Sequence, residues 1–430
     1  KEGDSDTLAQ VTQTLASVGT NDVFNYLIDQ ADLLGASDIH IENQRESIRI
    51  RMRVDGALHT VAELSRDRYR VIMATLASRA NISTASREPQ SGHMQQEIHR
   101  DGASHVLNLR VEAVMTVYGL DLVLRLFNFD ESMLNLDLLS ISKKEREQID
   151  EVISHPRGML LMVGPTGSGK STTLYSILNA LNTQDRKIIT LEDPVENTIP
   201  GIAQIPIDTT NGQRFADGLR SVLRLDPDVV MVGEIRDNET ANLAIQAALT
   251  GHLVFSTLHT NSAAGVLPRL LDMGIEPFLI ASTVNTIIGQ RLVRRVARRR
   301  DIYQSSPLET QAIREAVGGL LPQTREQVAQ YAQDLGYESL PLATQTSFAL
   351  AKGKDTPQTP RGYAGRAGLY EVMDITEEIQ NLIVKRATSA EIQRTAIQQG
   401  MITMRQDGYL KALNGITTIE EVNRVAADTA

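Results

Sequence analysis

The sequence predicts an α/β protein in which a small α+β domain precedes an α/β core and a helical C-terminal region. Two observations carry this prediction. Four apolar runs, MLLMV, KIITL, DVVMV and HLVFSTL, have the character of buried strands with helices between them. Such alternation favours a largely parallel sheet. Upstream, apolar and polar residues alternate with period two, which is typical of half-buried strands in a separate domain.

Length and composition set the class of protein. A chain of 430 residues with 41% hydrophobic residues is expected to fold as two or three domains. Its net charge of −10 argues against binding of nucleic acid or anionic membrane by the whole surface. No cysteine is present, which excludes disulfides and thiolate metal sites. No apolar run approaches the roughly 18 residues of a spanning helix. We expect a cytoplasmic protein and, from the abrupt polar start, a missing upstream region.

The first part of the chain is predicted to hold the small α+β domain. Residues 1–20 are polar and weakly periodic, which is typical of a linker. Residues 21–127 are assigned to the domain, which begins with a helix over 21–34. Four alternating runs follow: SDIHIE, SIRIRMRV, VLNLRV and LDLVLRLF. The last two runs place Arg110 and Arg125 on polar faces of strands.

The rest of the chain is predicted to fold around the parallel sheet. It divides into a linker at 128–140, the core at 141–292, an insertion at 293–361 and a helical region at 362–430. The insertion breaks the α/β pattern with the basic cluster RRVARRR and weakly periodic polar sequence. Capping-box signatures, Thr388 with Glu391 and Thr417 with Glu420, predict helix starts near the C-terminus.

The segment GPTGSGKST matches the pattern G-x-x-x-x-G-K-[ST], between a buried strand and a helix. Glycines let the backbone wrap phosphates, and the amides of the first helical turn face the anion. Lys170 can reach the β- and γ-phosphates of ATP, and Ser171 can ligate Mg²⁺. The predicted nucleotide-binding residues are Gly164, Pro165, Thr166, Gly167, Ser168, Gly169, Lys170, Ser171 and Thr172. The alternatives are a chance glycine-rich turn and a loop that binds nucleotide without hydrolysing it.

Acidic residues follow two further strands. IITLEDPVE ends in Glu192, Asp193 and Glu196, and DVVMVGEIRD carries Glu234. In a parallel sheet ligands lie at the carboxyl ends of strands. The first group can hold a metal-bound water or orient a nucleophile. Glu234 can accept a proton from attacking water or hold Mg²⁺. The alternatives are a solvated turn and a charged strand cap.

Two histidines flank the strand in TGHLVFSTLHT. These are His252 and His259. A histidine at a strand end can sense or contact a γ-phosphate, although a single histidine is more often structural. Together with the other strand ends, both are predicted to be functional.

These four blocks, in this order, resemble the secretion-motor ATPases, the type II secretion and type IV pilus assembly ATPases. The family's phosphate loop matches GPTGSGKST, its acidic box LEDPVE, its atypical Walker B segment LRLDPDVVMVGEIRD and its His box TGHLVFSTLHTN. Resemblance extends to ASDIHIE, RMRVDG, EPQSG and LRLF upstream and to GYAGRAGLYEV downstream. It covers most of residues 21–430 and implies that Glu234 is catalytic.

The resemblance also implies an architecture and a function. It implies a PAS-like N-terminal domain and a RecA-like P-loop ATPase core, assembled as a homohexamer with ATP between the two domains. Arg110 and Arg125 occupy positions whose arginines meet the phosphates; ordinary solvent-facing arginines are the alternative. The implied protein is a motor for type IV pilus or type II pseudopilus assembly, peripherally associated with the inner membrane. Its implied partners are an inner-membrane platform protein and a cytoplasmic linker protein, with no nucleic acid.

The chain departs from the family at three places. The usual P-Q-D-G-R has Ser91 and His93 here, and around Arg110 the usual Ser and Pro become Glu112 and Met115. The insertion lacks the four cysteines that bind zinc in many assembly ATPases, so no zinc is expected. It is expected to hold itself by packing of Leu308, Ile313, Val317, Leu320, Leu321, Val328, Tyr331, Leu335 and Tyr337.

Three other functions compete with an assembly motor. A pilus retraction ATPase would lack the long insertion, and its A-I-R-N-L-I-R-E-type signature is absent here. A nucleic-acid motor could use RRVARRR as a basic patch, but no aromatic residues are interleaved for base stacking. A structural ring subunit without hydrolysis is disfavoured by intact Lys170, Ser171 and Glu234.

Overall fold

The computed structural model describes residues 11–19, 22–54, 57–100, 102–128, 134–356 and 359–427. The chain forms two compact units, Lys1–Asp130 and Glu131–Ala430, and the division falls inside the linker predicted at 128–140. Each unit has its own hydrophobic core. Among the described residues, no helix is long and apolar enough to cross a membrane.

The first unit is an antiparallel sheet of six strands with helices packed on one face. Its strands are β1 (Asp38–Asn43), β2 (Ile48–Val54), β3 (Ala57–Leu64), β4 (Gln90–Arg100), β5 (Ala103–Thr116) and β6 (Gly119–Asn128), in the order β3-β2-β1-β6-β5-β4. Its helices are α1 (residues 11–17), α2 (Val23–Leu33) and α3 (Arg66–Ala80). Alternation in β2 buries Ile48, Ile50, Met52 and Val54 and leaves the arginines between them on the other face.

Helix α1 lies within residues that the sequence analysis assigned to a linker. Val11 and Leu15 are four positions apart, so both project from one side of the helix, and both are buried in the core of the first unit. Two apolar residues in polar sequence gave too weak a periodicity to predict this helix. Residues 1–10 of the predicted linker lie outside the described residues.

The second unit is built on a seven-stranded sheet with the order β15-β12-β7-β11-β10-β8-β9. Its strands are β7 (Gly158–Val163), β8 (Ile188–Glu192), β9 (Ala203–Pro206), β10 (Val229–Val232), β11 (Leu253–Leu258), β12 (Val284–Val296) and β15 (Tyr363–Asp374). Strands β7 to β12 are parallel to their neighbours, and β15 is antiparallel to β12. The helices of the core are α4 (Lys143–Ile153), α5 (Lys170–Leu181), α6 (Phe215–Leu223), α7 (Asn238–Leu249), α8 (Val266–Asp272) and α9 (Pro277–Thr283). All residues of β7, β8, β10 and β11 are buried, as expected for strands covered on both faces.

The insertion and the C-terminal region share one hydrophobic cluster. The insertion contains β13 (Arg300–Gln304), α10 (Pro307–Val317), α11 (Val328–Leu335) and β14 (Ala349–Gly353), with β13 and β14 antiparallel. The C-terminal helices are α12 (Glu377–Val384), α13 (Ser389–Gln398), α14 (Met404–Leu413) and α15 (Ile419–Ala426). Ile313, Val317, Leu321 and Leu335 pack there as predicted. Leu308 does not: it lies in the first turn of α10 and is 79% exposed.

One of the two predicted capping boxes is present and the other is wrong by one residue. Thr388 accepts a hydrogen bond from the N–H of Glu391, whose carboxylate accepts the N–H of Thr388. At the other helix the cap is Thr418, which accepts from the N–H of Glu421 at 3.2 Å. The hydroxyl of Thr417 instead donates to the carbonyl oxygen of Arg294.

Candidate nucleotide site

The loop between β7 and α5 leaves the first turn of a helix open to an anion. Residues 164–169 form this loop, and α5 begins at Lys170. Its N-cap is Gly169, which supplies no side chain to accept the first N–H groups of the helix. Gly169 has φ +84°, and a Cβ there would lie 2.7 Å from Nε2 of Gln290. The positive φ favours glycine, a Cβ would in addition displace the end of the Gln290 side chain, and the free N–H groups remain for phosphate.

Three predicted site residues meet in one hydrogen-bonded chain. Nζ of Lys170 donates to the carbonyl oxygen of Gly164 at 2.6 Å and lies 3.4 Å from Nδ1 of His259. Nε2 of His259 lies 3.0 Å from Oε1 of Glu234, whose Oε2 is 2.7 Å from Nη2 of Arg236. An ammonium can only donate, so Nδ1 of His259 accepts from Lys170 and Nε2–H donates to Glu234.

Packing between β10 and β8 explains why a glycine precedes Glu234. A Cβ at Gly233 would lie 2.8 Å from the carbonyl oxygen of Leu191 and 3.3 Å from the Phe215 ring. Only glycine fits there without displacing the backbone of β8. The first carboxylate after β10 is therefore that of Glu234, one position after Gly233. The next residue, Ile235, donates its N–H to the carbonyl oxygen of Thr257.

The charge state of Lys170 depends on its surroundings. Burial lowers the pKa of Lys170 to about 8, and the charge of Glu234 acts in the opposite direction. A phosphate group at the loop would add negative charge beside the ammonium and raise this pKa again. Lys170 is thus best suited to its position when a polyanion is present.

The carboxyl ends of the strands meet at the start of α5, as predicted. A cavity of about 100 Å³ is lined by Ser171 and Tyr175 from α5, by Glu192 at the end of β8 and Glu196 after it, and by Glu234 after β10. Ser171 is exposed and presents a hydroxyl oxygen, and Glu234 adds carboxylate oxygens. Oxygen ligands of this kind suit Mg²⁺, so these residues fit the metal predicted for them.

Glu192 is fixed in place rather than free in this cavity. It is 5% exposed and accepts hydrogen bonds from the hydroxyls of Tyr175 and Thr190 and from Nε2 of Gln204. Burial raises the pKa of Glu192, and the hydrogen bonds that it accepts act against this rise. The N–H of Glu196 lies 3.3 Å from the same Tyr175 hydroxyl. Glu192 can therefore hold the acidic loop in position against α5.

The structure separates the two histidines. His252 precedes β11, and its carbonyl oxygen accepts the N–H of Gly158 at the start of β7, the edge opposite to the phosphate loop. Nδ1 of His252 lies 2.9 Å from the carbonyl oxygen of Ala247 at the end of α7. Within this chain His259 therefore lies beside Lys170 and Glu234, whereas His252 lies in the α7–β11 turn, and the functional role predicted for His252 stays a prediction.

In the first unit, Arg110 and Arg125 lie opposite each other on β5 and β6. One row crosses the sheet in the order Arg53, Asp38, Arg125, Arg110, His93. Asp38 lies 3.2 Å from Nε of Arg125 and 3.6 Å from Nε of Arg53. Like charges directly opposite on neighbouring strands destabilise a sheet. The two arginines are therefore a like-charged pair beside Asp38, and the role predicted for them at the phosphates stays a prediction.

Known proteins are similar to this chain over most of its length. A family model described as Type II/IV secretion system protein matches residues 16–424. The chain belongs to this family. It is 40% identical over 406 residues to Type II secretion system protein E of Xanthomonas campestris pv. campestris, covering 94% of this chain and 67% of that protein. It is 38% identical over 395 residues to the type IV pilus assembly ATPase PilB of Pseudomonas aeruginosa, covering 92% and 65%. The family resemblance and the assignment as an ATPase of secretion or pilus machines are confirmed.

Solved structures of related fold support the α/β class. The pilus retraction motor PilT with bound ADP has a TM-score of 0.61 at 23% identity, covering 93% of this chain and 95% of that one. The ATPase DotB of Legionella pneumophila has a TM-score of 0.59 at 24% identity, covering 94% and 95%. At such identity the likeness concerns the fold, and it agrees with a RecA-like core. The PAS-like character of the first unit stays a prediction.

Two residues of the site were missed by the sequence analysis. Tyr175 is buried on α5 like the apolar residues of that helix. No local sequence pattern predicts that its hydroxyl donates to Glu192. Arg236 stands inside the quoted block GEIRD, two residues after Glu234. Its place in that block was a usable signal, because a cation near the strand end can pair with the carboxylate of Glu234.

Proposed function

We propose that this chain hydrolyses ATP at residues 164–172 and acts, as a homohexamer, as the motor for type IV pilus or type II pseudopilus assembly. The observation that carries the proposal is the chain of contacts from Lys170 through His259 to Glu234 beside the open first turn of α5. Family membership supports it, because both quoted relatives are components of such machines.

Each group of the site has a role that its geometry permits. Lys170 and the first-turn N–H groups of α5 bind the phosphates, and Ser171 with Glu234 holds Mg²⁺, which neutralises phosphate charge when bound. Glu234 accepts the proton of the attacking water, and His259 contacts the γ-phosphate between Lys170 and Glu234. Glu192 and Glu196 orient the acidic loop.

Arg110 and Arg125 complete the proposed machinery. They stabilise the charge that develops on the phosphates, a function that fits two arginines paired across a sheet. We further propose a cytoplasmic protein that associates with the inner membrane through a platform protein and a cytoplasmic linker protein. Stimulation of turnover by the platform protein is expected, and stimulation by DNA instead would favour a nucleic-acid motor.

Two substitutions test the site together. Lys170→Ala removes the main cation for the phosphates, so ATP affinity and turnover should both be lost. Glu234→Gln keeps the shape but loses the negative charge and the base, so ATP should still bind while hydrolysis nearly disappears. Phosphate release and binding of a fluorescent ATP analogue measure the two effects.

Matched controls come from helix α12. Glu378→Gln in that helix and Lys385→Ala at the residue directly after it make the same chemical changes at exposed positions, so both should keep wild-type binding and turnover. Wild-type turnover in Lys170→Ala would refute the site. Equal loss of binding in Glu234→Gln and Lys170→Ala would make Glu234 a structural residue.

A further inference from the structure

A buried carboxylate on β15 joins two parts of the second unit. Glu371 has a relative exposure of 0%, and each of its oxygens accepts one backbone N–H. Oε1 accepts from Ala263 at 3.1 Å, and Oε2 accepts from Met404 at 3.1 Å. Ala263 follows His259 by four residues, and Met404 is the first residue of α14. Glu371 therefore fastens the loop after His259 to the start of a C-terminal helix.

The position of Glu371 is set by the sheet that carries the phosphate loop. Gly289 of β12 pairs with Val163 on one side and with Glu371 on the other. Val163 is the last residue of β7, directly before the phosphate loop. Val163, Gly289 and Glu371 thus form one row across β7, β12 and β15. This row connects the start of the phosphate loop with the carboxylate that holds the loop after His259.

The neighbouring strand holds the same loop at a second point. Nη2 of Arg291 on β12 donates to the carbonyl oxygen of Asn261 at 3.1 Å. Burial raises the pKa of Glu371, while the two backbone donors and the charge of Arg291 act against this rise. Burial of a carboxylate costs free energy, and two charge-assisted hydrogen bonds offset part of that cost. The same two bonds fix the positions of both backbone donors.

We propose that Glu371 is a positioning residue for ATP hydrolysis, which holds His259 at hydrogen-bond distance from Glu234 and ties that arrangement to α14. The inference rests on the proposed role of His259 in the site. Glu371 touches neither nucleotide nor water in this role and acts through the loop at 259–263. A movement of α14 and a movement of His259 are then coupled through one side chain.

A double-mutant cycle separates this role from a general structural one. Glu371→Gln keeps the side-chain volume, but the amide N–H₂ faces one of the two backbone N–H groups, so one hydrogen bond is lost. We expect kcat to fall about tenfold in Glu371→Gln and in His259→Ala, with KM for ATP changed by less than about threefold. The double variant should resemble His259→Ala alone, because both changes remove the same contact.

The control for the cycle is another buried carboxylate of this unit. Glu421 on α15 accepts hydrogen bonds from Arg294 and Arg424, which lie outside the loop at 259–263. Its substitution Glu421→Gln, combined with His259→Ala, should give effects that multiply. If Glu371→Gln fails to fold, Arg291→Ala tests the same loop through the bond to Asn261, with the same expectation.

The outcomes distinguish the two levels of the proposal. If the reductions in kcat caused by Glu371→Gln and His259→Ala multiply in the double variant, the positioning role is overturned while the proposed ATPase site stands. Wild-type kcat in His259→Ala would remove His259 from the site and the inference with it. Absence of turnover in the wild-type chain with ATP and Mg²⁺ would overturn the proposed function itself.

Discussion

At the scale of single residues, Ser91 and Glu112 form a pair across β4 and β5. Oγ of Ser91 donates to Oε1 of Glu112 at 2.6 Å, and the two residues are register partners. The resembling family usually has the acid at the first position and the serine at the second. Here the serine is on β4 and the acid is on β5, and the two side chains hydrogen-bond to each other next to the row that carries Arg110.

A substitution at Arg125 tests whether its charge serves the reaction. Arg125 has a side-chain exposure of 60% and pairs with Asp38, which keeps Arg53 as a partner. Exposed ion pairs contribute about 0–1 kcal/mol, so Arg125→Ala should leave the melting temperature close to wild type. We expect kcat to fall at least about tenfold, because an arginine on the phosphates stabilises the transition state.

Arg49→Ala provides the control for Arg125. Arg49 stands on the same face of the sheet in another row and pairs with Glu42 at 3.4 Å. It should keep wild-type kcat, measured by the same phosphate-release assay. If the Arg125→Ala variant folds and its kcat is unchanged, Arg125 is an ordinary solvent-facing arginine with no part in hydrolysis.

At the scale of elements, the histidines show what the sequence could and could not give. His252 and His259 flank a six-residue strand, and a strand of that length spans about 20 Å. Strand geometry alone therefore predicts that the two lie at opposite edges, and only one can join a site at the carboxyl ends. The contact of His259 with Glu234 depends on the order β7-β11-β10 in the sheet, which no local pattern contains.

The insertion is the element that sequence periodicity described least well. Its helix α10 packs against α14 and its helix α11 packs against α4, and both belong to a cluster that includes Tyr409, Leu410 and Val422, far along the chain. A short helix that packs on distant partners shows weak periodicity, since each turn offers one or two apolar residues. Composition was the better guide: the absence of cysteine directed attention to packing, and Ile313, Val317, Leu321 and Leu335 do lie in a hydrophobic cluster.

The same element carries a prediction about metal. Structural zinc supplies roughly 10–16 kcal/mol of apparent binding free energy in zinc-finger peptides. Residues 293–361 contain neither cysteine nor histidine, so they lack the ligands that structural zinc prefers. The purified protein should be free of zinc, and chelation followed by return of Mg²⁺ should leave its turnover unchanged. Stoichiometric zinc that survives dialysis, found by elemental analysis, would contradict this.

At the scale of the whole molecule, the proposed machinery is divided between the two units. Lys170, His259 and Glu234 belong to the second unit, and Arg110 with Arg125 belongs to the first. The division was predictable, because period-two alternation gives way to long buried runs between residues 128 and 158. The facing pair of arginines was not, because it depends on the register of β5 against β6. Alternation predicts which face a residue takes, and only the register predicts its neighbour.

Because of this division, the second unit expressed alone tests what the first unit contributes to turnover. Residues 131–430 contain complete hydrophobic clusters and the phosphate loop, so this segment expressed alone should fold and bind ATP. It lacks both arginines, and a supplied arginine is worth roughly 10³–10⁵ in rate in phosphoryl transfer. We expect its kcat to be at least about tenfold below that of the full chain, measured at equal ATP occupancy. The full chain with Arg110→Ala and Arg125→Ala together should show the same loss if the arginines account for it. If the double variant keeps wild-type kcat while the segment loses it, the first unit contributes something other than these two charges.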